Sequence, residues 1–331
     1  MSTFILVDSF NMYHRAKHVA MRGANIDMKI GMAYHIMLSS VKLCYNKFNA
    51  DHAVFCLEGR SWRKDFYEPY KKNRVVARMA KSKREQEEDQ IMFQSYDDMV
   101  NFLDEKTNVT MLKNSEAEAD DMIALFIAAH PDDNHIIISS DSDYFQLITD
   151  NVTMYDGVQN RIITKDGFFK DDKNMTPIKE KKTGEIKEKV DPEWALFEKC
   201  VRGDTSDNIF SAYPGCRKKG TKNKVGMMEA FADKSTGGFN WNNFMLQRWT
   251  DHNGDEHRVL DDYHRNVVLC DLTAQPGNIR SIINDVIEDN MVTKEVTQVG
   301  LRLMKFCAKH DMQRIADNVQ LYAEPLNARY S

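Results

Sequence analysis

Short apolar runs alternate with stretches of helical spacing through the first half of the chain. Residues 4–7 are uninterrupted and end at Asp8; 53–57 end at Glu58-Gly59; 109–112 form a weaker run; 135–139 form the strongest, followed by Asp141 and Asp143. Each has the length of a buried strand. Between them, apolar residues recur at helical intervals over about 12–21 and 30–48, and again over 118–129 through Met122, Ile123, Leu125, Phe126 and Ile127. Strands alternating with helices predict an α/β fold whose central, mainly parallel sheet is flanked by helices and ends near 152–155.

The pattern changes over about 60–95. Basic and aromatic residues interleave there (Trp62, Phe66, Tyr67, Tyr70), and 75–89 is strongly charged with little apolar face. Such a stretch buries little area and predicts a mobile or ligand-ordered arch, the alternative being a solvated charged helix. A helix is expected from about 85–94 through Leu103. Residues 173–189 read as an exposed hairpin around a Lys-Thr-Gly turn, and Pro192 opens a helix that runs through Val201. Another helix is expected over about 224–232. From 241 to 319 the spacing is helical, with turn signals at Asn253-Gly254 and Gln275-Pro276-Gly277. This divides the chain into an α/β domain over 1–190 and a helical region over 191–331.

Charge changes the picture. The net value is −5, but 60–84 holds ten Lys and Arg against two acids, and 217–224 holds five bases and no acid. Setting aside the nine acids singled out below turns −5 into +4. Acids gathered at a centre, with bases on approach surfaces, suit a metal-dependent enzyme acting on a phosphodiester. No run of 18 apolar residues occurs and the N-terminus lacks a signal-peptide pattern, so a cytoplasmic protein with no membrane partner is expected. The six cysteines stand singly without a C-x-x-C pair, which argues for reduced thiols. His14 and His18 share an H-x-x-x-H spacing, but Arg15 occupies the place of the glutamate a zinc protease needs, so they read as helix-surface residues. Phosphate-binding glycine loops and local signatures of a serine nucleophile are absent.

The candidate chemistry lies in the acids. Glu118, Asp120 and Asp121 open one apolar-periodic segment, and Asp141 and Asp143 follow the strongest strand. Ionised carboxylates crowded beside buried residues repel one another, and hard divalent cations relieve that repulsion. Asp8, Glu58 and the Asp141/Asp143 pair each end a separate apolar run, where α/β sheets build their sites. As isolated features, the acids of 118–121 would merely favour a helix dipole, and Asp204 and Asp207 would cap a turn.

Taken in order, the motifs are the strand ending in Asp8 and the basic Tyr70-Lys71-Lys72-Asn73-Arg74. Glu118-Ala119-Asp120-Asp121 and Ser139-Ser140-Asp141-Ser142-Asp143 follow, and then Gly203-Asp204-Thr205-Ser206-Asp207-Asn208. Over roughly residues 1–290 this set resembles the flap endonuclease/5′→3′ exonuclease superfamily, and within it the ribonuclease H-type 5′ nucleases of T-even bacteriophages. The resemblance implies a PIN-like nuclease fold with a helix-hairpin-helix-like DNA clamp at about 201–233. It implies two Mg²⁺ ions, replaceable by Mn²⁺. Asp8, Glu58, Glu118, Asp120 and Asp141 would bind or frame the first; Asp121, Asp143 and Asp207 would serve the second, with Asp204 close by. Lys71 and Arg74 would meet the scissile phosphate. Arg63, Lys64 and Lys72 would contact nucleic acid, and Tyr70 would either stack on a base or pack in the core. Arg217, Lys218, Lys219, Lys222 and Lys224 would be the clamp's basic residues.

The sequence departs from the family in having Glu58 where Asp is usual, and Pro214-Gly215-Cys216-Arg217-Lys218-Lys219-Gly220 in place of a Gly-x-Gly-x-Lys hairpin. The implied activity is removal of RNA primers and adjacent DNA from 5′ ends during phage replication. Flapped duplex DNA and RNA–DNA hybrid would be the substrates, and a single-strand-binding protein or sliding clamp a candidate partner of a monomer in the host cytoplasm. The alternatives are a PIN-like single-strand ribonuclease and a non-catalytic branched-DNA binding module.

Overall fold

Seven strands make one sheet: β1 (Thr3–Asp8), β2 (His52–Cys56), β3 (Thr110–Leu112), β4 (Asn134–Ile138), β5 (Val152–Asp156), β6 (Arg161–Thr164) and β7 (Gly167–Lys170). In this computed structural model, which describes residues 1–20 and 25–330, the strand order is β3-β2-β1-β4-β5-β6-β7. The first five are parallel, and β6 and β7 add antiparallel. The sheet therefore extends beyond the expected end near 155. The two added strands have four residues each, too short to register as apolar runs.

β1 lies between β2 and β4, with Leu6 opposite Val54 on one side and Ile137 on the other. Its Ile5, Leu6 and Val7 are fully buried, as the unbroken apolar run requires when both faces are covered. The chain leaves β1 toward β2 and β3 and later returns on its other side as β4. That reversal parts the loops at the carboxyl ends of β1 and β4 and opens a crevice there.

Helices α1 (Ser9–Ala20) and α2 (Ile26–Phe48) follow β1. Met21, the expected last position of the first helix, lies outside the described residues, as does the side chain of His18; His14 is exposed. Next come α3 (Arg63–Phe66), α4 (Lys72–Met79), α5 (Lys83–Lys106) and α6 (Ala119–Ala129). The charged stretch expected as an arch is thus mostly helical. A reciprocal Ser82–Glu85 capping box starts α5, and its later turns bury Met92, Met99, Phe102 and Leu103. No residue of α4 is buried.

The chain forms two compact units. The first comprises Met1–Ser61, Lys81–Val190 and Pro276–Ser331, and the second Trp62–Ala80 and Asp191–Gln275. This partition differs from a single boundary near 190, for identifiable reasons. The buried Asn108, just before β3, donates its side-chain amide to the carbonyls of Val296 and Asn327, both at 3.1 Å. It also accepts from the Val296 N–H at 2.8 Å. These bonds tie the C-terminal segment to the sheet. Residues 62–80 group with the second unit because Tyr70 and Tyr67 pack into its core beside Phe197, Val201 and Ile209.

The second unit contains α7 (Pro192–Arg202), α8 (Met227–Ala232), α9 (Phe239–Met245) and α10 (Val259–Cys270). A hairpin of β8 (Arg248–Thr250) and β9 (Glu256–Arg258) interrupts the segment of helical spacing, turning at the Asn253-Gly254 signal. None of the six cysteines is in a disulfide. Among the described residues, no helix is long and apolar enough to cross a membrane.

Candidate active site

In the first unit, Asp8 ends β1 and is 7% exposed. Because Val7 is in register with Ile138, the residue after β4, Ser139, falls beside Asp8. Its hydroxyl donates to Asp8 Oδ2 at 3.0 Å, and the Tyr144 hydroxyl donates to the same oxygen at 3.1 Å. Burial, and then the charges of Glu58 and Asp141, raise the Asp8 pKa from 3.8 to about 7 against the pull of those hydroxyls. Burial also pushes the Tyr144 phenol well up, with further contributions from Asp8, Asp120 and Asp141. These mutual effects show that carboxylates from separate strand ends share one neighbourhood.

The loop after β2 reaches the same place. The Ala119 N–H donates to Glu58 Oε2 at 3.1 Å, which anchors Glu58 at the start of α6. Gly59 runs so close to the next loop that a Cβ would lie 2.0 Å from the Asn114 carbonyl oxygen, so a glycine after Glu58 is a steric need. Glu118 is the residue before α6. It accepts from the Ser61 hydroxyl at 2.6 Å, and its N–H donates to Asp121 Oδ2 at 3.2 Å. Glu118 and Asp121 are 2% and 0% exposed, whereas Asp120 is half-buried. Oxygens of Glu118, Asp120 and Asp121 all lie within 4.8 Å of one another. Asp141 and Asp143 flank the start of a 3₁₀ turn (Ser142–Leu147), in which the Asp143 N–H donates to Asp141 Oδ1 at 3.1 Å.

This donor set fits a divalent cation. Its members are hard carboxylate oxygens, three of them closely gathered, and Asp8 carries a charge its surroundings disfavour until a cation offsets it. The crowding predicts a pH effect on the metal-free protein. Asp8 binds its proton more tightly folded than unfolded, so its contribution to stability is fully present below about pH 4 and lost as pH rises through about 7. The effect is on the order of 4 kcal/mol at most. Urea midpoints for the metal-free protein should therefore fall from pH 5 to 8 relative to Asp8→Asn, and Mn²⁺ should reverse the fall. Buried His52, lowered to about 4, acts in the opposite sense but is common to both proteins. Parallel curves for the two would refute the effect.

Asp204 and Asp207 belong to the second unit. Burial opposes the Asp204 charge, but the Lys199 ammonium at 2.8 Å and the Ser206 hydroxyl and N–H outweigh it and pull the carboxyl down to about 2. Asp207 is 8% exposed. It accepts from the Tyr70 hydroxyl at 3.1 Å and the Arg74 guanidinium at 2.5 Å, with Lys71 Nζ 3.8 Å away. The Tyr-Lys-Lys-Asn-Arg and Gly-Asp-x-x-Asp-Asn motifs are therefore brought together within this unit.

One expected nucleic-acid contact is corrected, and one open alternative is decided. Arg63 is 1% exposed, and its Nε donates to the Leu269 carbonyl at 2.9 Å, so it is a buried structural cation. Tyr70 is 3% exposed in the core of the second unit, which leaves no ring face for a base. Lys64 and Lys72 are exposed, as are Arg217, Lys218, Lys219, Lys222 and Lys224. The last five lie in the connection between α7 and α8, where Glu229 accepts from the N–H groups of Gly220 and Gly226 at 2.9 and 3.0 Å. Sequence reasoning passed over the hydroxyls of Ser61, Ser139 and Tyr144. Ser139 was findable from the register of β4 against β1; Ser61 and Tyr144 carry no local signal.

Comparison with known proteins bears on the family and the fold. A stretch of 170 residues, half of the chain, is 29% identical to the flap endonuclease Xni of Shewanella woodyi, covering 60% of that protein. Another of 185 residues, 55% of the chain, is 26% identical to DNA polymerase I of Rhizobium leguminosarum, covering 15% of it. The chain thus spans less than two thirds of either relative. Over 97% of its length it has the fold of the bacteriophage T5 flap endonuclease, seen in a complex with DNA and metal ions, at 17% identity and a TM-score of 0.58 over 99% of that chain. The family model for the 5′-3′ exonuclease N-terminal, resolvase-like domain matches residues 3–174, more than half of the sequence, and the chain belongs to that family, within the flap endonuclease/5′→3′ exonuclease superfamily.

Proposed function

We propose that the protein is a Mg²⁺-dependent, structure-specific 5′ nuclease that cuts flapped or nicked duplexes and removes RNA primers with adjacent DNA from 5′ ends. The observation that carries this reading is the gathering of acids from separate strand ends and from the start of α6 around the buried Asp8. Asp8, Glu58, Glu118, Asp120, Asp121, Asp141 and Asp143 would hold metal in the first unit; Asp204 and Asp207 are the candidate ligands of the second. When bound, divalent ions supply an activated water and offset charge on the attacking and leaving oxygens.

Lys71 and Arg74 place fixed positive charge for a phosphate that gains negative charge as it reacts. Lys64, Lys72 and the 217–224 bases would grip the backbone without reading sequence, so binding should weaken with salt. The T-even-like motif order favours a phage replication setting.

The test is cleavage of labelled 5′-flap, nicked and RNA-primed duplexes beside unpaired RNA, with and without Mg²⁺. Short 5′ products from the duplexes, formed only with metal, are expected. Cutting confined to unpaired RNA would favour the PIN-like ribonuclease instead, and binding without any product would favour the non-catalytic module.

A further inference from the structure

Within the second unit, the loop after α7 is closed on itself. Asp204 and Ile209 exchange N–H···O bonds at 2.9 and 2.7 Å, and Asp204 Oδ1 accepts from both the N–H and the hydroxyl of Ser206 at 2.7 Å. Gly203 starts the loop at φ 72°, where a Cβ would sit 2.3 Å from the Ile209 carbonyl oxygen. This small ring presents a row of main-chain oxygens.

Residues 69–74 lie along that row. The Lys71 N–H donates to the Asp207 carbonyl at 2.8 Å. Asn73 Nδ2 donates to the Thr205 carbonyl at 2.9 Å, and Arg74 Nε to that of Ser206 at 3.3 Å. One bond runs the other way: Asn208 Nδ2 donates to the Pro69 carbonyl at 2.7 Å. The chain is left-handed at Lys71 (φ 54°) and at Asn208 (φ 57°). That conformation disfavours any residue with a Cβ and is best tolerated by asparagine. For Lys71 it must be imposed from outside, and the bonds on either side of it hold it there: the Pro69 carbonyl accepts from Asn208 Nδ2 and, at 3.1 Å, from the Lys72 N–H, and the Lys71 N–H donates to the Asp207 carbonyl.

We propose that Asn208 is a positioning residue for Lys71. By holding the Pro69 carbonyl it fixes the left-handed turn that sets Lys71 Nζ over the Tyr70 ring, 5.1 Å from its centre, and beside Asp207. The inference deepens the nuclease reading and rests on it for the role of Lys71, but the tie itself is independent of that role. Turn preference alone would also account for an asparagine at φ 57°, and Asn208→Gly separates the two. Glycine keeps the turn without strain and removes only the amide that reaches Pro69.

Three measurements are made on Asn208→Gly and Asn208→Asp in the full chain: kcat and KM on a 5′-flap duplex, thermal midpoint, and hydrogen exchange at the Lys71 amide. Asn208→Gly should melt near the wild type yet lose about tenfold in kcat with little change in KM, and its Lys71 amide should exchange faster. Asn208→Asp, whose carboxylate faces the Pro69 oxygen, should lose more. Wild-type kcat together with a protected Lys71 amide in Asn208→Gly would overturn the proposal. If the wild type cuts no flap at all, the nuclease reading fails, and the Lys71 exchange rate still decides whether Asn208 holds the turn.

Discussion

Asp120→Asn should lower flap cleavage at saturating substrate by about 10²–10³-fold, a loss of several kcal/mol of transition-state stabilisation. Duplex affinity should hardly change. Asp120 lends itself to this test because, unlike Glu118 and Asp121, it is only half-buried. It accepts from the Asp121 N–H at 2.7 Å, and an asparagine oxygen can still accept that bond. The substitution therefore removes charge from the Glu118–Asp120–Asp121 group while keeping that bond at the start of α6. Turnover equal to wild type, in a protein with an unchanged melting midpoint, would remove Asp120 from the metal site. Affinity for Mn²⁺, read by calorimetry, should fall in parallel.

The second large effect is expected at Lys71. Lys71→Ala should reduce kcat by about 10²–10³-fold, the range for deleting one fixed electrostatic contact to a reacting group. Alanine and lysine meet the same steric penalty of about 1–2 kcal/mol in the left-handed region, so the backbone pays nothing new and the measurement isolates the ammonium. Asp207 keeps the Tyr70 hydroxyl and the Arg74 guanidinium, so its carboxylate is not stranded. A drop in affinity with kcat intact would assign Lys71 to substrate grip alone.

Much of the first unit was legible from pattern. β1, β2 and β4 read as unbroken apolar runs because a parallel sheet covered on both faces demands them, and the acids at their ends marked the crevice before any topology was known. The helix beginning after Glu118 showed in its spacing as well. β6 and β7 did not show, being short and antiparallel, and the β8–β9 hairpin was hidden among residues whose spacing also suits a helix. Arg63 was misjudged, and Tyr70 left open between base and core, for another reason. Residue type suggests what a side chain can do, but a guanidinium bonded to the Leu269 carbonyl and a ring packed among Phe197 and Val201 have been claimed by the fold.

What the sequence by itself determined was the local: strand and helix periodicity, the acids at the strand ends, and the signs of charge along the chain. Tertiary structure alone decided which distant groups meet, such as Asn208 with Pro69, 139 positions apart, or Ser139 with Asp8, 131 apart. The physical reason is that side-chain periodicity follows from backbone geometry within a few residues. A hydrogen bond across such distances depends on register and packing, which leave no repeating mark on the chain.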